Sequence, residues 1–442
     1  MTFAVSPAAP IGAHELLVFL LQVGLLLLTA FVLGRLAVRC GAPAIVGELF
    51  AGVLLGPSVL AHVAPSFSEW LLPQDPAHFH LLDAVGQIGV LLLVGLTGMH
   101  MDLGLMRRRG GAAIRISIAG MVVPLGLGVG AGFLLPGSLV PDGAPRTSFA
   151  LFLGVAMGIS AIPVIAKTLM ELRLLHRNTG QLILCAAMAD DIVGWVLLSV
   201  VSATATTGLQ GADIAVSIGS VVLVVAVLLI SRGFIRAGLT AAARSREGGL
   251  TVSVVVVLIL LGAALSQSMK LEAVFGAFLV GIVISSCGAP AARIAPLRTT
   301  VMAVLAPLFF ATAGLRMDLT ALAYPTVLLV GLGVLSIAIV GKFLGAYLGA
   351  RFSRLGHWEA LAIGSGLNAR GVIEVIIAMV GLRLGVLSPE MYTIIVLVAV
   401  VTSVMAPPVL RMTMAKVEQT DEESVRASLH EVDGDPARDR AA

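Results

Sequence analysis

Charge is what this sequence has least of. Only 12% of its 442 residues are Asp, Glu, Lys or Arg, against 58% apolar and 5% aromatic, and the mean hydropathy is +1.04. Such a balance excludes a water-soluble globular fold. The 28 Lys and Arg nearly cancel the 25 Asp and Glu, so there is no basic surplus for nucleic acid. Cysteine is scarce: Cys40, Cys185 and Cys287 share no CxxC spacing and fall in or beside apolar runs, which makes them packing residues rather than metal ligands or a disulfide framework. No Gly-rich phosphate loop precedes a helix, and no nucleophile, base and orienting group cluster, so neither an enzyme nor a cofactor is expected. The first thirteen residues hold no Lys or Arg, and the apolar run from Leu16 has no small-residue cleavage site. It reads as a retained first span rather than a signal peptide.

What the chain does have is long apolar runs. A helix needs roughly 20 apolar residues to cross a bilayer. Gly, Pro and charge punctuation then predicts thirteen spans, near 14–36, 43–63, 82–102, 111–135, 148–170, 178–204, 212–235, 250–268, 271–287, 299–317, 322–350, 358–382 and 391–414. The division between the eighth and ninth rests on a tight turn near Lys270 alone. Taken alternately, one set of loops carries sixteen Lys and Arg and the other only Arg146, Lys270, Arg316 and Arg383. The positive-inside rule then puts the N-terminus outside and the C-terminus in the cytoplasm. Residues 1–416 are expected to form the membrane domain and 417–442, with eight acidic residues from Glu418 onward, a disordered acidic cytoplasmic tail.

Three stretches recur. PAIVGELFAGVLLG (43–56) matches EAVFGAFLVGIVIS (272–285), GLTGMHMDL ending at Leu103 matches ATAGLRMDL ending at Leu319, and GISAIPVIA from Gly158 matches GLNARGVIE from Gly366. The pairs link spans 2 with 9, 3 with 10 and 5 with 12. A separation of seven spans reverses the crossing direction, so the repeat is inverted, over about 14–204 and 250–414 with a linker span at 212–235, a signature of secondary transporters. Spans 5 and 12 carry the residues that interrupt a helix at mid-depth: Gly158, Ser160 and Pro163 in one, Gly364, Gly366, Asn368 and Gly371 in the other.

Several ionisable residues lie inside spans, where a charge is costly. Span 6, LILCAAMADDIVGWVLL, centres on Asp190 and Asp191, whose side chains point about 100° apart and so meet different surroundings. Lys342 in span 11 is the candidate partner for one of them. Arg370 and Glu374, four apart in span 12, can pair locally, either as a structural anchor or in direct work on a substrate. Glu48 is interfacial or interior, Arg115 snorkels, and His100 and Asp102 form a solvated helix end. Two carboxylates and an ammonium in a water-reached cavity imply competition between a proton and a monovalent cation for the same oxygens. With alternating access, that competition is antiport.

At these residues the sequence resembles the Kef/Nap-type monovalent cation:proton antiporters. GAPAIVGELFAGVLLGPSVL, GISAIPVIAKTLMELRLLHRNTGQLIL, ADDIVGW and GSGLNARGVIEVIIAMVGLRLGVLS carry the similarity. The resemblance implies an all-α polytopic membrane protein with the inverted-repeat antiporter fold and crossed discontinuous spans 5 and 12. It implies that Asp191 carries the cation or proton, that Asp190 pairs with Lys342, that Ser160 is a neighbouring polar group, and that a mobile core works against a dimerisation domain in the cytoplasmic membrane. Two positions depart from the family pattern: Ser160 stands where many relatives have Thr, and His100 where many have Glu, a change that bears on pH sensing and ion preference. The short acidic end argues against glutathione-gated potassium efflux. The expected substrates are H⁺ and Na⁺ or K⁺. Two alternatives stay open on the same scaffold, a gated potassium pathway and a sodium-coupled organic-anion symporter.

Overall fold

A computed structural model describes residues 12–72, 76–99, 103–174, 176–207, 211–245, 248–288, 291–420 and Glu423. Each of the thirteen predicted spans is helical. Among the described residues nine are long and apolar enough to cross a membrane as single helices, among them span 1 (Ala13–Arg39), span 4 (Leu103–Leu134), span 6 (Asn178–Thr207), span 11 (Pro325–Phe352) and span 13 (Pro389–Met414). Span 9 is the short helix Ala273–Ser286, separated from span 8 (Gly248–Ser268) at Lys270 as expected. Span 7 bends by 45° at Ser231. Span 5 is broken into Arg146–Gly158 and Ile162–Glu171, and span 12 into His357–Leu367 and Val372–Arg383 with a 46° bend. His100, Asp102 and nearly all of the acidic tail lie outside the described residues.

Lipid offers backbone groups no hydrogen-bond partners, which is why apolar runs of this length close their own bonds as helices. Proline stands in the first turn of spans 11 and 13 at Pro325 and Pro389, where its missing N–H costs nothing. Glycine sets how closely spans approach. A methyl group at Gly345 would collide with the Ala119 carbonyl, and one at Gly281 with the Gly95 carbonyl, so spans 4 and 11, and spans 3 and 9, pack backbone to backbone.

The spans gather into two bodies. Spans 4, 5, 6, 11, 12 and 13 pack on one another, and so do spans 1, 2, 3, 8, 9 and 10, with span 7 leading from span 6 to the second body. At the end opposite the Arg-rich loops, hydrogen bonds among the described residues tie the bodies together. Arg383 donates to Glu272 over 2.6 Å, the Tyr392 hydroxyl to the Ala313 carbonyl over 2.6 Å, and the Asp318 N–H to Thr393 over 3.1 Å.

At the Arg-rich end, the start of the acidic segment is held against span 6. Arg177 donates to the carbonyls of Val417 and Glu418 and to the Glu423 carboxylate, which also accepts from the N–H of Asn178 at the head of span 6 and from the N–H of Thr420. An acid at a helix N-terminus is favoured by the helix dipole. Burial pushes the Glu423 carboxyl up, but the Thr420 and Asn178 N–H groups and the Arg177 guanidinium outweigh it and hold it below its ordinary value. A lowered folded value stabilises the contact at every pH above the ordinary carboxylate range and loses it only as pH falls through the folded value. Protease protection of residues 417–423 is therefore expected to stay constant between mildly acidic and alkaline pH and to vanish in Glu423→Gln at all pH values.

Candidate ion-binding site

The site is built where the breaks of spans 5 and 12 meet. The Ala161 N–H donates to the Ala369 carbonyl over 3.2 Å, so the two interruptions are joined directly by backbone. Pro163 sits in the first turn of the second half of span 5. A Cβ on Gly371 would press on Val164 across the crossing, which accounts for glycine there. Each break frees carbonyls at the end of one half-helix and N–H groups at the start of the next, and within a membrane these must be answered by protein.

Cations answer the carbonyls. Arg370 donates to the Ala156, Met157 and Ala338 carbonyls over 2.7, 2.5 and 3.1 Å, and Lys342 Nζ to the Gly158 carbonyl over 2.6 Å. The last three carbonyls of the first half of span 5 are thus capped by two buried positive charges, which suits the negative end of a helix dipole. The Arg370–Glu374 pair is loose, at 3.9 Å. Glu374 instead turns one oxygen to the Gly371 N–H over 2.8 Å, as a cap on the second half of span 12. Arg370 is oriented from behind by the Ser403 hydroxyl, which donates to its carbonyl.

The two adjacent aspartates of span 6 sit in opposite circumstances, although both are fully buried. Asp190 is saturated: Lys342 Nζ lies 2.6 Å from Oδ2, the Ser117 hydroxyl donates to Oδ1 over 2.5 Å, and the Ser160 hydroxyl lies 2.9 Å from Oδ2. Ser160 also lies 2.7 Å from the Leu367 carbonyl, and its one proton serves only one of these acceptors at a time. Among the described residues, neither oxygen of Asp191 makes a hydrogen bond of ordinary geometry, although the backbone N–H of Ile162, at the start of the second half of span 5, lies close enough to act on it. The Asn368 Oδ1 and Glu374 Oε1 acceptors are likewise buried and unpartnered, while the Asn368 amide reaches the Ile339 carbonyl at 3.4 Å. The arrangement therefore offers bare oxygen acceptors beside an aspartate whose neighbour is already neutralised.

Of the residues singled out in the sequence, the structure brings together Asp190, Asp191, Ser160, Lys342, Arg370, Glu374, Gly158, Gly366, Asn368 and Gly371. Glu48 lies elsewhere, in a cavity of about 500 Å³ between spans 1, 2 and 10. Arg115 is exposed and donates to the Gly111 carbonyl. Sequence reading missed Ser117. Ser117 carries no charge and lies in none of the recurring stretches, so nothing in the sequence marked it.

Residues 25–416 match the profile of the family described as sodium/hydrogen exchanger, transmembrane. The Na(+)/H(+) antiporter NhaS4 of Synechocystis is 31% identical over 403 residues, covering 90% of this chain and 97% of that protein. The Na(+)/H(+)-K(+) antiporter GerN of Bacillus cereus is 26% identical over 89% of this chain and 96% of its own. Cation/H(+) antiporter 17 of Arabidopsis thaliana is 30% identical, but the chain spans only 48% of its length. Among solved structures, the sodium proton antiporter MjNhaP1 of Methanocaldococcus jannaschii superposes with a TM-score of 0.67 at 17% identity, over 91% of this chain and 99% of that one.

Proposed function

Because the chain belongs to the sodium/hydrogen exchanger family of membrane transporters, we propose that this cation/proton antiporter exchanges Na⁺ or K⁺ for H⁺ by competition of the two for Asp191. The observation that carries the reading is the contrast between the two aspartates: Asp190 is held by Lys342, Ser117 and Ser160, while Asp191, fully buried, makes no hydrogen bond of ordinary geometry on either oxygen among the described residues. A bare carboxylate in a low-dielectric interior is tolerated only when a proton neutralises it or a cation balances it. The two cannot occupy it together, so each turnover exchanges one for the other.

Lys342 balances the charge of Asp190, Arg370 that of Glu374, and both cations cap the first half of span 5, so that the site stays assembled whichever ligand Asp191 holds. The two bodies provide the movement: the one carrying spans 4–6 and 11–13 shifts against the other, opening Asp191 to one side and then the other. We assign residues 1–416 to the exchanger domain, with inverted repeats over about 14–204 and 250–414 and a linker span at 212–235, and residues 417–442 to a cytoplasmic tail. The sixteen basic residues on one set of loops support placing that end, with the C-terminus, in the cytoplasm of the cell whose inner membrane holds the protein. A homodimer through the second body completes the reading, supported by the family resemblance.

Everted vesicles acidified by respiration test it. Adding Na⁺, K⁺ or Li⁺ separately is expected to dissipate the pH gradient for at least one of Na⁺ and K⁺, and the more effective ion names the substrate. No response to any of the three, with the protein inserted, would refute proton-coupled exchange.

A further inference from the structure

The exchange reading uses Asp191 and nothing beyond it on span 6. Trp195, Ser199 and Ser202 follow it at steps of four, four and three residues, a spacing that places all four side chains on one stripe of the helix. Trp195 Nε1, Ser199 Oγ and Ser202 Oγ are buried and have no hydrogen-bond partner among the described residues. Hydroxyls in other spans behave differently: those of Thr97, Thr312, Ser336 and Thr402 each donate to the carbonyl four residues earlier, the ordinary way a membrane helix satisfies them. Thr251, also without a partner, stands at the far end of span 8, away from this stripe.

Buried polar atoms without partners call for a ligand, either water or an ion. The stripe begins at an ion-binding carboxylate and runs about 16 Å along the helix, roughly half the thickness of a hydrocarbon core, toward the end opposite the Arg-rich loops. It faces the other body, since the Trp195 ring lies 6.0 Å from that of Phe278 in span 9. At that same end the bodies are tied by Arg383 with Glu272 and by Tyr392 with the Ala313 carbonyl, so in this structure the stripe is shut off from solution.

We propose that Trp195, Ser199 and Ser202 line the outward half of the cation path. The two hydroxyls are successive ligands for a partly hydrated monovalent cation, and Trp195 with Phe278 forms the constriction between that path and Asp191. The stripe fills with water when the bodies part at the outer end. This inference rests on the antiport reading and its orientation.

Ser199→Cys and Ser202→Cys, treated from outside the cell with a membrane-impermeant cationic methanethiosulfonate, test it. The natural cysteines give no background: Cys185 is buried, and Cys40 and Cys287 stand at the Arg-rich ends of spans 1 and 9. Both variants are expected to react, to lose exchange on reaction, and to react at a different rate when the transported cation is present. Val193→Cys, on the exposed opposite face of span 6, is expected to stay unmodified. Unreacted Cys variants that still exchange ions would overturn the path and leave the antiport reading intact. Reaction in a chain whose natural form moves no protons in response to cations would keep the path and refute the antiport. If the Cys variants do not insert, Ser199→Ala with Ser202→Ala serves instead. Its apparent KM for the cation is expected to rise about tenfold from the outer side only, the scale of one or two lost polar contacts, and equal values from both sides would contradict the proposal.

Discussion

Asp191→Asn is expected to reduce cation-driven proton movement in vesicles to the level of membranes lacking the protein. Asn is the same size and keeps one acceptor, but it neither takes up a proton at accessible pH nor balances a cation's charge, so both halves of the exchange fail at once. The variant is not expected to harm the fold. Neither Asp191 oxygen makes a hydrogen bond of ordinary geometry among the described residues, the Asn oxygen can still face the nearby Ile162 N–H, and removing a buried charge lowers its desolvation cost. Loss of flux with a retained or raised melting temperature is therefore the diagnostic combination. A gated potassium pathway without strict proton coupling predicts the reverse, since ion flow through it would survive the substitution.

Lys342→Ala is expected to act through stability as much as through transport. It removes the ammonium from Asp190 Oδ2 and from the Gly158 carbonyl, both 2.6 Å away and fully buried, leaving a charge and a helix end uncompensated. Breaking a buried pair by deleting one partner costs about 3–5 kcal/mol, and the expected result is a large fall in melting temperature. Adding Asp190→Asn is expected to recover much of that loss, because Asn needs no counter-charge, and its oxygen can accept from Ser117 while its amide N–H donates to the Ser160 oxygen. A double-mutant cycle measured by thermal unfolding in detergent checks this, and additive losses would contradict it. Transport carries a second expectation: if Lys342 trades its partner during the cycle, exchange is electrogenic in the natural protein and electroneutral or absent in Lys342→Ala.

The charges of this site were visible in the sequence because a bilayer makes them so. An Asp pair, a Lys and an Arg inside apolar runs have few bland explanations, and the matching breaks at Gly158 and Gly366 placed them at one crossing. Their wiring was less visible. Spacing allowed an Arg370–Glu374 pair, which is present but loose at 3.9 Å; it did not show that the guanidinium also goes to the carbonyls of Ala156, Met157 and Ala338, because a broken helix creates acceptors that no side chain announces. Ser117 was missed for a related reason: hydroxyls are inexpensive in membrane helices and common there, so one that grips Asp190 looks like one that bonds its own backbone. The ties at the outer end, Arg383 with Glu272 and Tyr392 with Ala313, join segments more than 75 residues apart and follow only from how the two bodies meet.

Competition for Asp191 is tested most directly without any transport. Purified protein in weak buffer is titrated with the transported cation while pH is recorded. Binding is expected to release protons from the natural protein, in proportion to cation bound, and none from Asp191→Asn. Cation binding to the natural protein with no proton release, or equal release from the variant, would contradict the account.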